Sequence, residues 1–121
     1  MAAATYDILI EQGASFGFTL TMNNPDGTVF DLSLWTPRSM MRKKYSDILP
    51  TETFHCEKIA PVLPQIVSNS INVTLSPVET AAINAGNYVW DLELYQGVEG
   101  AETDVKRILK GQVTVDPEVT K

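Results

Sequence analysis

The fold class is legible first in Asn87-Tyr88-Val89-Trp90-Asp91-Leu92-Glu93-Leu94-Tyr95. Tyr88, Trp90, Leu92 and Leu94 fall on one parity; Val89, Asp91, Glu93 and Tyr95 fall on the other. A period of two is that of a half-buried β-strand, with successive side chains on opposite faces. The first set is expected in a core and the second outside it. The same rhythm returns on either side. Tyr6, Ile8 and Ile10 alternate with Asp7, Leu9 and Glu11 until Gln12-Gly13 breaks the run. Phe16, Phe18, Leu20 and Met22 alternate with Gly17, Thr19, Thr21 and Asn23, and Ile71, Val73 and Leu75 alternate up to Ser76. Val105 to Val115 reads as the last strand, where the mid-strand Gly111 marks a bulge or a close backbone approach.

The segments between these runs carry turn chemistry. Asn23-Asn24-Pro25-Asp26-Gly27 is the clearest hairpin signal, with Thr28-Val29-Phe30 as a short return. Pro37 lacks a donor, so the run Trp35 to Lys44 must hold it at a strand start or a sheet edge. Ser46 to Ser70 is least regular, with extended pieces expected at Thr51–Lys58 and Pro64–Val67 and a turn at Asn69-Ser70. Ser76-Pro77-Val78-Glu79 is a capping box with proline at the first helical position, and it predicts a helix over about 77–84 stopped by Gly86. Gln96 to Asp104 reads as an acidic loop. Seven to nine short strands with one small connecting helix predict an all-β chain, an Ig-like Greek-key β-sandwich forming one domain over 1–121.

Composition narrows the function. The chain has 121 residues and a formal net charge of −6, with 44% hydrophobic and 20% charged residues. That is ordinary for a folded domain. The acidic balance argues against non-specific binding to nucleic acid or an anionic membrane. No apolar run approaches the ~20 residues of a membrane span. The opening residues lack a basic and apolar leader, so synthesis in a cytoplasm without a secretory signal is expected. Asn72-Val73-Thr74 matches a glycosylation triplet but sits in a strand-like run.

Reactive constellations are scarce. Cys56 is the single cysteine and His55 the single histidine. Neighbours in an extended segment point to opposite faces, so one is expected to pack and the other to be solvated. One His and one Cys fall short of a catalytic zinc set. Asp91 and Glu93 share a face about 6.5–7 Å apart, a spacing glycoside hydrolysis can use. Alternating acids on an outer strand face are also what solvation alone gives. Glu99, Glu102 and Asp104 lack the calcium-loop pattern. The expectation is no catalytic residue, no metal and no cofactor. Trp35, Trp90, Tyr88, Phe16 and Phe18 are expected in the core rather than on a sugar-binding face. Arg38, Arg42, Lys43 and Lys44 concentrate four of the nine basic residues and form a candidate docking patch for an acidic partner. Tyr45 and Tyr95 fall outside the core sets and suit an interface. Glu99, Glu102 and Asp104 complete the candidate contact residues.

Three segments carry a resemblance: Tyr6 to Phe16 with its Ile10-Glu11-Gln12-Gly13, Ala85 to Leu94 with its Gly86-Asn87-Tyr88-Val89-Trp90-Asp91-Leu92, and Arg107 to Val115 running on into Pro117-Glu118-Val119-Thr120. Together they resemble a family of small tailed-bacteriophage virion proteins with an Ig-like β-sandwich, similar to the N-terminal domains of baseplate upper proteins and tail-fibre attachment proteins. The middle, Pro37 to Val67, departs from that pattern. The resemblance implies a non-enzymatic assembly adaptor or decoration protein at a tail, baseplate or fibre junction. It further implies synthesis in the bacterial cytoplasm, multiple copies in a symmetric assembly and other virion proteins as partners. A carbohydrate-binding module for host recognition is the alternative, and a small hydrolase using His55 or the Asp91/Glu93 pair is a third reading.

Overall fold

The computed structural model describes residues 3–44 and 51–118. Eight strands and one short helix follow in chain order: β1 (Ala4–Thr5), β2 (Ile8–Glu11), β3 (Phe16–Thr21), β4 (Thr36–Arg42), β5 (Glu52–Lys58), β6 (Ser70–Leu75), α1 (Pro77–Ala81), β7 (Gly86–Val98) and β8 (Ala101–Asp116). The strand order is β1-β8-β7-β4-β5-β6-β3, with β2 also on β8. The chain is all-β, built on a curled sheet. The curl occurs within β5: Glu52, Thr53 and Phe54 pair with β4, whereas His55 to Lys58 pair with β6.

Alternation places most of the core as read, but Tyr6, expected with Ile8 and Ile10, is exposed, and so are Val105 and Arg107 of the Leu109 parity. Tyr88, Trp90, Leu92 and Leu94 of β7 are buried, as are Ile71, Val73 and Leu75 of β6 and Ile8 and Ile10 of β2. Trp90 is the hub, with ring centroids 5.8 Å from Phe18 and 6.1 Å from Phe54 across the curl. Edge-to-face geometry at this range adds about 0.5–1.5 kcal/mol per pair beyond area burial. Trp35, Ser39 and Met41 of one parity face inward, and the Ser39 hydroxyl is satisfied by donating to the Asp91 carbonyl at 2.6 Å. Pro37 sits one residue into β4, opposite Leu94, before β5 pairing begins at Ser39.

Gly111 is a close approach rather than a bulge. Any Cβ there would collide with the Tyr6 carbonyl, which presses against β8. The chain kinks between β1 and β2 at this point. The Tyr6 amide donates to Lys110 O at 2.8 Å, its carbonyl accepts from the Trp90 indole at 2.7 Å, and Asp7 Oδ1 accepts from the Gln112 amide at 3.0 Å. The register slip in β8 lies at Ile108 instead, between the Leu92–Leu109 and Glu93–Arg107 pairs, and it turns Arg107 to the outer face.

Four readings are corrected. Gln96–Asp104 is not a loop: β7 and β8 continue as a ribbon to the two-residue turn Glu99-Gly100, Gly97 and Gly100 both taking φ 90°. A second register shift, beside Thr103, absorbs the mismatch. The Asn23–Gly27 turn forms, but its hairpin is a single bridge between Asn23 and Val29, because β3 pairs along its whole length with β6. Pro64–Val67 is not extended strand. α1 ends at Ala81 with Ala82 as its cap, so Gly86 opens β7 rather than stopping the helix. The capping box itself is present, with the Glu79 amide donating to Ser76 Oγ at 3.2 Å and Glu79 Oε1 accepting from the Ser76 amide at 2.8 Å.

Candidate interaction surfaces

The outer face of β4, β7 and β8 is an ionic lattice. Register sets Arg38 opposite Glu93, Met40 opposite Asp91, and Arg107 opposite Glu93. Arg38 Nε meets Glu93 Oε1 at 2.9 Å, Arg38 Nη1 meets Glu102 Oε1 at 3.5 Å, and Arg107 Nε meets Asp91 Oδ2 at 3.3 Å. The Arg38 guanidinium also lies 4.7 Å from the centre of the Tyr95 ring. A shallow hollow of about 220 Å³ is lined by Arg38, Ser39, Met40, Arg42, Asp91, Glu93 and Arg107. Partial burial, then the neighbouring Glu93 carboxylate, pushes the Asp91 carboxyl above its ordinary value, against the pull of Arg107, Arg42 and Arg38. Both acids are thus engaged by guanidinium groups.

The sequence-predicted contact residues separate into three places. Arg38, Tyr95 and Glu102 come together, and Arg38 is compensated within the chain. Arg42 is half-buried near the Met40 sulfur, and Lys43 and Lys44 are exposed at the far end of β4, Lys43 Nζ lying 5.7 Å from the Tyr88 ring centre. Glu99 and Asp104 are exposed at the ribbon tip. Tyr45 lies outside the described residues. The basic segment is therefore not one cationic patch. Tyr95 is half-buried beneath Arg38 rather than freely presented.

His55 and Cys56 divide between faces. His55 is exposed, and its Nε2 lies 2.6 Å from Glu79 Oε2. Cys56 packs against the core, where burial pushes its thiol up to about 11, the direction of an inert structural thiol. Trp35, Trp90 and Tyr88 are buried, and Phe16 and Phe18 pack part-buried against them.

The sequence reading missed the loop after β5. Val62, Leu63 and Ile66 are 82%, 82% and 81% exposed. Scattered single apolar residues on a surface are normal; three within five positions form a patch. A signal was present in the uncharged run from Ile59 to Val78, 20 residues in a chain of net charge −6. Beyond the Asn23–Val29 turn lies a groove of about 560 Å³ lined by Met22, Phe30, Val105 and Ile108 with Lys106 and Lys110.

Neither a protein-family model nor a curated protein matches this chain.

Proposed function

We propose that this chain is a non-enzymatic structural protein of a tailed-phage virion, an adaptor or decoration subunit that docks onto tail, baseplate or fibre subunits. The observation that carries the reading is the protruding uncharged loop with Val62, Leu63 and Ile66 in water. Apolar side chains presented this way suit insertion into a neighbour's pocket, where each contributes about 1.5–3 kcal/mol when fully buried. The scaffold behind it is proposed to be an Ig-like Greek-key sandwich. Supporting that, the Tyr88 hydroxyl donates to Asn84 O at 2.6 Å at the start of β7, the geometry of a tyrosine corner. The Phe18–Trp90 pair bridges β3 and β7, and Trp90 stands two residues after Tyr88, where immunoglobulin domains place a disulfide cysteine.

Purified particles analysed by mass spectrometry test the proposal. The chain is expected in mature virions at a fixed stoichiometry, with incorporation lost in Leu63→Asp. Absence from particles overturns it. The carbohydrate-binding alternative rested on Tyr45 and Tyr95; among the described residues Tyr95 is half-buried with the Arg38 guanidinium over its ring, which does not favour that reading.

A further inference from the structure

We infer that β3 pairs edge to edge with β3 of a second copy, joining two molecules through a continuous antiparallel sheet. β3 ends the strand order. Among the described residues no strand pairs with its outer edge, and only the Asn23–Val29 bridge forms just past its end. Exposed edges are ordinarily blunted by charge, proline or a break. Two other edges among the described residues carry such devices. The edge made by β1 and β2 is interrupted at Tyr6-Asp7 and bears Asp7 and Glu11; β4 carries Pro37 where β5 has not yet joined it. β3 has none of them. Its six residues, Phe16-Gly17-Phe18-Thr19-Leu20-Thr21, hold no charge and no proline, and its register with β6 is unbroken.

A second observation points the same way. The inward-facing residues of β6 are sealed, Ile71 and Val73 at 0% and Leu75 at 2% exposure. Those of β3, Phe16, Phe18 and Leu20, are only part-buried. The core is less sealed along this edge, where Tyr6 packs on Phe18 with ring centroids 5.3 Å apart and still leaves it part-buried. The strand that would complete the seal must set apolar residues inward and small uncharged residues outward, and that is the pattern of β3 itself. Directly opposed residues of an antiparallel pair lie on the same face, so a two-fold pairing of β3 on itself centres on a single residue, Phe18 or Thr19. It sets apolar side chains against apolar ones inside and Gly17, Thr19 and Thr21 against one another outside. Two chains of net charge −6 then meet along a line without a like-charge contact. The pairing is a property of this edge and does not depend on a virion role.

Sedimentation of the intact chain over a concentration series tests it, with Thr19 as the probe. Thr19 is exposed on β3, and either centre brings the two copies of it opposite or diagonal to each other. A dimer is expected for the native chain. Thr19→Lys and Thr19→Glu should each raise its dissociation constant by about tenfold or more, while their equimolar mixture restores association as a heterodimer. Circular dichroism confirms that each variant is folded, and Thr21→Lys serves if either is not. Amide exchange in residues 16–21 should quicken on dilution of the native chain. A native chain monomeric throughout overturns the inference. So does a dimer indifferent to all three substitutions, a result that would move the contact to another surface such as the Val62–Ile66 loop.

Discussion

Single residues control how the N-terminal segment joins the sheet. Gly111 is the clearest, because the Tyr6 carbonyl occupies the space a side chain would need and is fixed there by the Trp90 indole. Backbone cannot yield as a flexible side chain does. Gly111→Ala is expected to cost about 3 kcal/mol in denaturant unfolding, or else to expel β1 and β2 from β8. Faster amide exchange at Tyr6 would distinguish expulsion from a uniform loss. An unchanged midpoint with unchanged exchange would contradict the close approach. Burial sets the chemistry of other residues. The Asp91 carboxyl is held above its ordinary value by desolvation first and Glu93 second, so its ionised form is a cost to the fold; its contribution is greatest below its unfolded pKa and is lost as pH rises through the folded value.

At the level of the element, α1 is five residues long and cannot stand alone, so its capping box decides whether the turn forms. Ser76→Ala removes the acceptor for the Glu79 amide and is expected to cost about 1 kcal/mol by thermal or denaturant melting. Glu79 adds a pH dependence. Its carboxyl lies below the ordinary value of 4.5, held there first by the Ser76 amide and then by His55. A carboxylate lowered in the folded state stabilises above its unfolded pKa, and that stability disappears as pH falls through the folded one. The native chain should therefore lose more stability between pH 5 and about 3 than Glu79→Gln does. Equal slopes in the two proteins would show that the carboxylate is not engaged as described. The ribbon of β7 and β8 obeys a similar local logic. Positive φ at Gly97 and Gly100, with Glu102 accepting from the Gly100 amide, closes a tight turn in a stretch that composition alone marks as a loop.

For the whole molecule, the division is between residues that hold the fold and residues that face outward. Val62, Leu63 and Ile66 belong to the second group. Replacing all three with serine should leave the melting stability within about 0.5 kcal/mol of the native chain, since so little of each is packed. A large loss of stability would mean that the loop supports the core and is not a docking element. The ionic lattice on β4, β7 and β8 lies on an outer face too, but its groups are turned toward one another. Its charges answer one another inside the chain, which is why Arg38 is a poor candidate for capturing an acidic partner despite its place in a basic run.

Alternation by itself determined most of the strands and, away from the slip at Ile108, their buried faces, because polar and apolar neighbours on an extended chain are forced to opposite sides of a sheet. Tyr88 to Leu94, Ile71 to Leu75 and Ile8 to Ile10 needed nothing more, and the capping box at Ser76 was equally local. Which strand lies beside which was decided only in three dimensions. Pairing partners are set by register and by the fit of distant side chains, so the curl at β5 and the slip at Ile108 leave no mark in any short window, and the uncharged run Phe16 to Thr21 does not say by itself that its edge is open. The surfaces depended on the same long-range fit. Arg38 and Tyr95 became neighbours through contacts made far along the chain, whereas the uncharged run around Val62, Leu63 and Ile66 stood in the sequence and only its exposure did not.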